Sequence, residues 1–336
     1  MVQAQAAHNS QPAHPAAPSR RQRREIAHRI GMHTSIAGGV SEALELAHKL
    51  RCTTLQIFTA SPRMWIDAGQ SIGEEPARAF RERRRALDLD PVVIHANYLV
   101  NLAAPDPPTR ERSIRGFHGE LRRAAQLDAD FLVVHPGSRR ESTFESAVER
   151  IADSLRRAAT GVSRGRLRIL IENTAGQGTA VGWRLEEVRA ILDACPELDL
   201  GVCLDTAHLL AAGYDIKSKP GLESTLEAAN RIIGLDAVRV IHVNDSKAPF
   251  GARVDRHDHL GRGHIGLEAF RRIVNHRRLQ GRAFILETPI DRPGDDWRNV
   301  RTLWRLAGIE WRQKAPNVDG FPARRSRRVR KPKQKR

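Results

Sequence analysis

A chain of 336 residues, 40% of them hydrophobic, is long enough for one large α/β barrel or two ordinary domains, and none of its apolar runs approaches the roughly 18 residues that cross a bilayer. Its three cysteines, Cys52, Cys195 and Cys203, are scattered and form no Cys-x-x-Cys pair, which argues against a disulfide framework or a thiolate zinc site and sets a reducing compartment as the default. The net charge of +17 is concentrated at the two ends of the chain, a distribution that attracts polyanions such as nucleic acid.

Residues 1–29 carry five Arg against Glu25 and show no hydrophobic periodicity, so they read as a disordered N-terminal arm. Their Arg, Ala and Ser content has a weak similarity to an organelle transit peptide, and the basic-then-apolar order of a secretory signal is missing. From residue 30 the pattern alternates. "RIGMHTS" predicts a strand and "SEALELAHKL" a helix; "TTLQIFTA" and "PVVIHANY" predict the next two strands. Then come helix "RSIRGFHGELRRAAQL", strand "FLVVHPGS", helix "FESAVERIADSLRRAA", strand "LRILIENTA" and helix "RLEEVRAILDAC". Strands "LDLGVCLDTAH" and "VRVIHVND", helix "LEAFRRIVNHRRL" and strand "AFILETPI" complete the series. Apolar strands separated by helices indicate a parallel sheet with a covered outer face, and eight units within residues 30–311 match a (β/α)8 TIM barrel. A doubly wound open sheet would usually carry a Gly-rich phosphate loop after its first strand, and "SIAGGVSEA" is too loose a match. Residues 312–336 set eleven Lys/Arg against Asp319 and read as a disordered basic tail with attraction for nucleic acid, a plain solubility tail being the alternative. The arm contributes +4 and the tail +10, which leaves +3 for residues 30–311.

The strands share one property. His95 ends the third, His135 the fourth, Glu172 the fifth, Asp205 and His208 the sixth, His242 the seventh and Glu287 the eighth. In a TIM barrel all strand C-termini open onto one face, so these side chains converge. The loop after the seventh strand adds Asp255 and His257, two apart and therefore on one side of an extended segment. Carboxylates crowded at one mouth repel one another and rise in pKa unless cations intervene. Five His with four Asp/Glu suit zinc better than magnesium, and nine ligands suffice for two or three metals. Bare carboxylates repel a phosphodiester, whereas clustered divalent metals attract one and clamp both oxygens of an in-line displacement. His33 reads as a hydrogen-bonded core residue, Cys203 as a small core residue, and His28, His48, His118, His259, His264 and His276 as surface or loop residues.

"IHANYLVNLA", "VVHPGS", "IENTAGQGT", "GVCLDTAHLLAAGYD", "IHVNDSK", "GARVDRHDHLGRGHIG" and "ILETP" resemble, in order, the motif series of endonuclease IV, the zinc-dependent apurinic/apyrimidinic (AP) endonuclease family. "GMHTSIAGGV" and "FTASPRMW" fit as well, and the resemblance spans about residues 30–307. It implies a barrel with three zinc ions per chain that cuts duplex DNA 5′ to an abasic site, leaving a 3′-hydroxyl, with 3′-repair diesterase activity alongside. By motif, His95, His135 and Glu172 would hold the first zinc. Glu172 would bridge to the second, with Asp205, His242 and Glu287; His208, Asp255 and His257 would hold the third. Glu172 and Glu287 are the catalytic carboxylates in this reading. An abasic deoxyribose reaches a barrel mouth only when turned out of the stack, and side chains must fill or wedge the gap. The resemblance gives that role to Arg63 in "SPRMW" and to Tyr98 and Leu99 in "NYLVN", ordinary loop packing being the alternative. Arg262 stands at a position often acidic in such proteins and adds positive charge near the mouth.

The expected partner is duplex DNA containing abasic sites, engaged by a monomer without membrane attachment. The expected location is the cytoplasm, on the nucleoid, with nuclear import as an alternative role for the tail. Two other readings compete. A metal-dependent sugar isomerase or epimerase shares the barrel but needs fewer ligands, and it leaves "VDRH" with His208 unexplained. A non-enzymatic DNA-binding protein driven by its tails leaves all nine ligands unexplained.

Overall fold

The computed structural model describes residues 28–66 and 69–310; the basic tail and all but the last two residues of the N-terminal arm lie outside the described residues. Its strands are β1 (Arg29–His33), β2 (Thr54–Ile57), β3 (Val92–His95), β4 (Phe131–Val134), β5 (Arg168–Glu172), β6 (Gly201–Asp205), β7 (Val238–His242), β8 (Asp245–Ser246), β9 (His257–Asp258) and β10 (Ala283–Leu286). Eight close into a barrel in the order β1-β10-β7-β6-β5-β4-β3-β2, with parallel pairing at each joint, while β8 and β9 form an antiparallel ribbon in the loop after β7. Around the barrel run α1 (Val40–Lys49), α2 (Glu74–Ala86), α3 (Pro107–Gln126), α4 (Phe144–Ala159), α5 (Leu185–Ala194), α6 (Thr206–Ala212), α7 (Lys219–Ile232), α8 (Leu267–Val274) and α9 (Asp295–Leu306). This is the TIM barrel expected from the alternating pattern. No helix among the described residues is long and apolar enough to cross a membrane.

The barrel strands bury both faces, as their near-continuous apolar runs require. One face packs on the helices in the main core. The other fills the barrel interior with a separate cluster: Val93, Val133, Leu170, Cys203, Val240, Ala283 and Ile285. Side chains two apart on a strand point the same way. Val93 therefore predicts the direction of His95, Leu170 that of Glu172, Cys203 that of Asp205, Val240 that of His242 and Ile285 that of Glu287. The small apolar layer plugs the barrel, and the polar layer stands on it at the mouth. Gly31 in β1 belongs to the inward set, and a Cβ there would sit 2.0 Å from the Thr54 carbonyl oxygen, so only glycine lets β1 and β2 approach this closely.

Three details depart from the sequence reading. β1 begins at Arg29, one residue before the expected boundary of the barrel. His28 and His259, read as surface or loop residues, lie outside helices and strands but are buried; His28 Nε2 lies 3.1 Å from the Val274 carbonyl, and Asn299 Nδ2 lies 2.9 Å from His259 Nδ1. The segment after Asp205 is not strand but α6, which leaves β6 without an intervening loop. Asp205 caps it, and Gly213, at φ 97° in the left-handed region, ends it.

Candidate metal centre

The β6–α6 junction explains why an apolar strand delivers a carboxylate and an imidazole to one place. Asp205 Oδ1 accepts the His208 backbone N–H at 2.8 Å, the usual bond of a helix N-cap. That bond fixes His208 in the first turn of α6, beside the carboxylate that caps it. From the neighbouring strand, fully buried Glu172 faces two ways. Its Oε2 lies 3.1 Å from His95 Nε2 and 3.4 Å from His135 Nε2, while Oε1 lies 3.0 Å from His242 Nδ1. His242 Nδ1 is also 3.2 Å from Glu287 Oε2. Asp255 reaches in from its loop to within 3.3 Å of both His208 Nε2 and His257 Nε2.

Ligand-capable atoms lie within 4.8 Å of one another in His95–His135–Glu172, in Glu172–Asp205–His242–Glu287 and in Asp205–His208–His257. All nine residues named from the sequence thus meet at one mouth. The third grouping differs in one respect: Asp205, 3.7 Å from His257 Nε2, stands where the sequence reading put Asp255, which lies 3.3 Å from His208 Nε2 and His257 Nε2 but outside that grouping. Cys203 also approaches Glu172 and His242. Burial pushes its thiol up to about 12, which leaves it a neutral plug residue.

The orientation of each imidazole is set from behind. A carbonyl oxygen only accepts, so His95 Nδ1–H donates to Ala96 at 2.7 Å and His208 Nδ1–H donates to Asn173 at 2.9 Å. In the neutral ring this leaves Nε2 of both residues bare and facing the carboxylates. His242 is turned the other way, with Nε2–H donating to Gln56 Oε1 at 2.8 Å and Nδ1 facing the cluster. Gln56 donates its amide to Glu287 Oε1 at 2.6 Å and to His33 Nδ1 at 2.9 Å. Asn244 donates to Asp205 Oδ2 at 2.6 Å and accepts the Glu287 N–H at 2.7 Å; Asn173 Oδ1 accepts the Asp205 N–H at 2.7 Å. Partners of this kind lock metal-binding side chains in orientation. His257 Nε2 is buried with no hydrogen-bond partner, an orphaned lone pair that a cation would satisfy. The donor set therefore fits divalent zinc, with mixed imidazole and carboxylate groups and no thiolate.

Gln56, Asn244, Asn173 and His33 were not named as site residues from the sequence. The same alternation would have found two of them, since Gly31 and Thr54 point inward and His33 and Gln56 follow two residues later. The two asparagines are polar residues directly beyond apolar strand ends.

The electrostatics reverse one expectation. Burial raises the carboxyls of Glu172 and Glu287, but both end well below the usual carboxylate range. For Glu172 the opposing charges are His135 and His242; for Glu287 they are His242 and His95. Burial lowers His208 and His242, yet neighbouring carboxylates hold both well above the ordinary imidazole value, Asp205 and Asp255 at His208 and Glu287 and Glu172 at His242. Imidazoles interleave the carboxylates, so the crowding stabilises positive charge on His95, His208 and His242 instead of protonating Glu172 and Glu287.

The mouth is a cavity of about 360 Å3, lined by His33, Phe58, Tyr98 and the ligand-type residues. A cleft of about 540 Å3 adjoins it, lined by Tyr98, Leu99, Arg140 and Gln177. Tyr98 is 60% exposed on the loop after β3, its ring 5.2 Å edge-on to Phe58, and its N–H donates to the Pro62 carbonyl at 3.3 Å. That bond ties it to the loop after β2, where Arg63 is exposed; Leu99 is half-buried. Arg262 is exposed on the loop after β9. The loop that carries Asp255 and His257 is clamped separately. Arg253 stacks on the Trp183 ring at 3.9 Å, and the Asp255 N–H donates to Gln177 Oε1 at 3.1 Å.

A closed barrel with this polar mouth defines the class: residues 44–311 match the xylose isomerase-like TIM barrel family. Relatives narrow it. Probable endonuclease 4 of Solibacter usitatus is 49% identical over 284 residues, which are 83% of this chain and 97% of that protein. The crystal structure of endonuclease IV from Thermus thermophilus matches with a TM-score of 0.75 at 42% identity, over 83% of this chain and 99% of that one. The chain belongs to the endonuclease IV family and is an enzyme of that family. A D-tagatose 3-epimerase-like protein, at 17% identity and a TM-score of 0.62 over 83% of this chain and 97% of that one, shares the fold alone.

Proposed function

We propose that this enzyme hydrolyses the phosphodiester 5′ to abasic sites in duplex DNA, leaving a 3′-hydroxyl, with three zinc ions held by the nine mouth residues. Two lines support it: the endonuclease relatives and, as the single carrying observation, the two-way carboxylate of Glu172. One Glu172 oxygen faces His95 and His135 and the other faces His242, the arrangement a bridging ligand requires. His95, His135 and Glu172 hold the first ion; Glu172, Asp205, His242 and Glu287 the second; His208, Asp255 and His257 the third. Bound zinc supplies Lewis acidity and water activated near neutral pH.

The remaining steps belong to the chain. Gln56 and Asn244 keep Glu287 and Asp205 aimed into the mouth, and Glu172 and Glu287 are the catalytic carboxylates. Tyr98 and Leu99, with Arg63 beside them, occupy the gap left when the abasic nucleotide turns out of the stack. The barrel, which begins at Arg29, acts as one monomeric unit; the basic N-terminal segment before it and residues 312–336 add sequence-independent attraction to DNA and keep the enzyme on the nucleoid. The same site acts on blocked 3′ ends as a repair diesterase. A sugar isomerase would leave the grouping of His208, Asp255 and His257 without a role.

The test is incision of a duplex with one abasic site by the full chain, before and after a strong chelator, alongside elemental analysis. Expected are a 5′ cut that the chelator abolishes and about three zinc ions per chain. An uncut abasic duplex, or activity that follows magnesium with no bound zinc, overturns the reading.

A further inference from the structure

Away from the mouth, the outer wall carries a groove of about 800 Å3 between α7, α8 and the end of α9. Lys219, Arg271, Arg272, Arg277 and Arg305 line it against one acid, Glu223. That is a local excess of four positive charges, in a domain whose residues 30–311 total only +3. Glu223 is engaged by His276 at 3.1 Å, and Glu268 lies 3.4 Å from both Arg271 and Arg272. Lys219, Arg277 and Arg305 are exposed and make no ion pair among the described residues, whereas neighbouring Arg278 is paired with Glu227 at 3.0 Å. The frame is fixed: Asn275 donates to the carbonyls of Arg271 and Leu306, both at 2.8 Å, and so binds the ends of α8 and α9 together.

The groove shares no lining residue with the mouth. Arg277 precedes the start of β10, and Arg305 lies in the last turn of α9, so both sit toward the end of the barrel opposite the mouth. Twelve-residue α9 alone spans about 18 Å of that separation. Gly308 lines the groove, and the eleven Lys/Arg of residues 312–336 follow it closely in sequence. That segment is cationic and is repelled by the groove, which leaves a polyanion as the occupant that satisfies both.

We propose that this groove is a second, damage-independent site for the phosphates of duplex DNA, which lets one molecule hold an undamaged duplex segment while its mouth engages another. The choice of DNA rests on the function proposed above; the groove's preference for a phosphate polymer rests on its own charge. Neutralised phosphates release counterions, so each contact adds about −0.9 to the slope of log affinity against log salt.

The experiment compares the zinc-loaded full chain with Arg277→Glu/Arg305→Glu and with the milder Arg277→Gln/Arg305→Gln. Anisotropy titration of an undamaged duplex at several salt concentrations should show a slope shallower by about 1.8 in the Gln pair, and at least as large a change in the Glu pair. Wild-type protein on a bead-bound undamaged duplex should capture a second, labelled duplex, and the Glu pair should lose that capture. Incision of abasic duplex at low salt and saturating substrate should stay within twofold, and the melting temperature should not move. Superimposable slopes together with retained capture overturn the proposal. Failure of wild-type protein to cut abasic duplex overturns the function above while leaving the slope comparison readable on its own.

Discussion

Gln56 serves three groups of the site at once: its carbonyl accepts from His242, and its amide donates to Glu287 and His33. Gln56→Leu would leave a buried imidazole N–H unpaired and release Glu287, at a cost of about 1–3 kcal/mol for the unsatisfied donor. Loss of such a supporting partner typically lowers metal affinity about 10–100-fold. A competition titration against a chromophoric chelator should show that drop with the fold intact; an unchanged affinity would make Gln56 a packing residue. Glu287→Gln changes the charge and almost nothing of the shape. Incision should fall at least about 100-fold, a barrier increase of about 2.7 kcal/mol, while binding to abasic duplex persists; incision within tenfold of wild type would remove Glu287 from the catalytic set. The pKa directions give a third expectation. His208 and His242 are held well above the ordinary value, so in the metal-free site their rings keep protons at neutral pH that a metal must displace. Raising the pH through those raised values removes the competing protons, so zinc affinity should climb as pH rises above about 6.5, the ordinary imidazole value. Calorimetry in buffers of different ionisation heat should register proton release; pH-independent uptake would contradict it. His95, His135, Glu172, Asp205, His242 and Glu287 were legible because strand ends in a parallel barrel converge, whereas His208 in α6 and Asp255 and His257 in the loop after β7 stood out by their spacing from such an end or from each other. Gln56 and His33 were not, because each sits in a run that a core reading explains and only the inward register of Thr54 and Gly31 marks them.

The elements that position the site show the same division. Eight strands stood out as apolar runs. α2 did not, because on the face it buries only Ala77 and Phe80 are apolar, beside Arg84, in a segment otherwise crowded with charge. α6 was hidden for the opposite reason: Thr206 to Ala211 are buried throughout, so no polar stripe separates helix from strand, and the Asp205 cap is the one local cue. Beyond β7 the chain reaches Asp255 and His257 through a loop tied to α6 by two backbone hydrogen bonds, Gly251 N–H to the Leu210 carbonyl at 3.0 Å and Arg253 N–H to the Ala211 carbonyl at 2.9 Å. Arg253 also stacks over the Trp183 ring at 3.9 Å, and Gly176 packs against the same side chain, where a Cβ would lie 3.0 Å from Trp183 Cγ. A stack of this kind contributes about 0.5–2 kcal/mol. Trp183→Leu should therefore loosen this loop without unfolding the barrel. Under graded chelation one of the three zinc equivalents proposed above should leave the variant early, with the melting temperature of the metal-free protein within a few degrees of wild type. Simultaneous release of all zinc, as in wild type, would mean the stack does not position the loop.

On the scale of the whole molecule, charge and chemistry are separated. The mouth holds every residue assigned to bond cleavage, the barrel as a whole is nearly neutral for its size, and +10 of the +17 lies in residues 312–336. If even four of those Lys/Arg engage phosphates, they add about 3 to 4 units to the salt slope of duplex binding. Removing Ala315–Arg336 should flatten the slope by that amount. Phosphate contacts carry no information about damage, so affinity for intact duplex should fall nearly as far as affinity for abasic duplex, and the ratio between them should hold. Turnover at saturating substrate and low salt should barely change, because no residue assigned to zinc lies beyond Glu287. The truncated protein retains the groove at Arg277 and Arg305, so combining the truncation with Arg277→Glu/Arg305→Glu separates two cases. Additive changes in slope mean tail and groove contact different phosphates. A combined change no larger than the truncation alone means the groove binds only DNA that the tail delivers. Superimposable slopes for full-length and truncated protein would exclude the tail from DNA contact altogether and leave its eleven cations with a role in localisation or solubility.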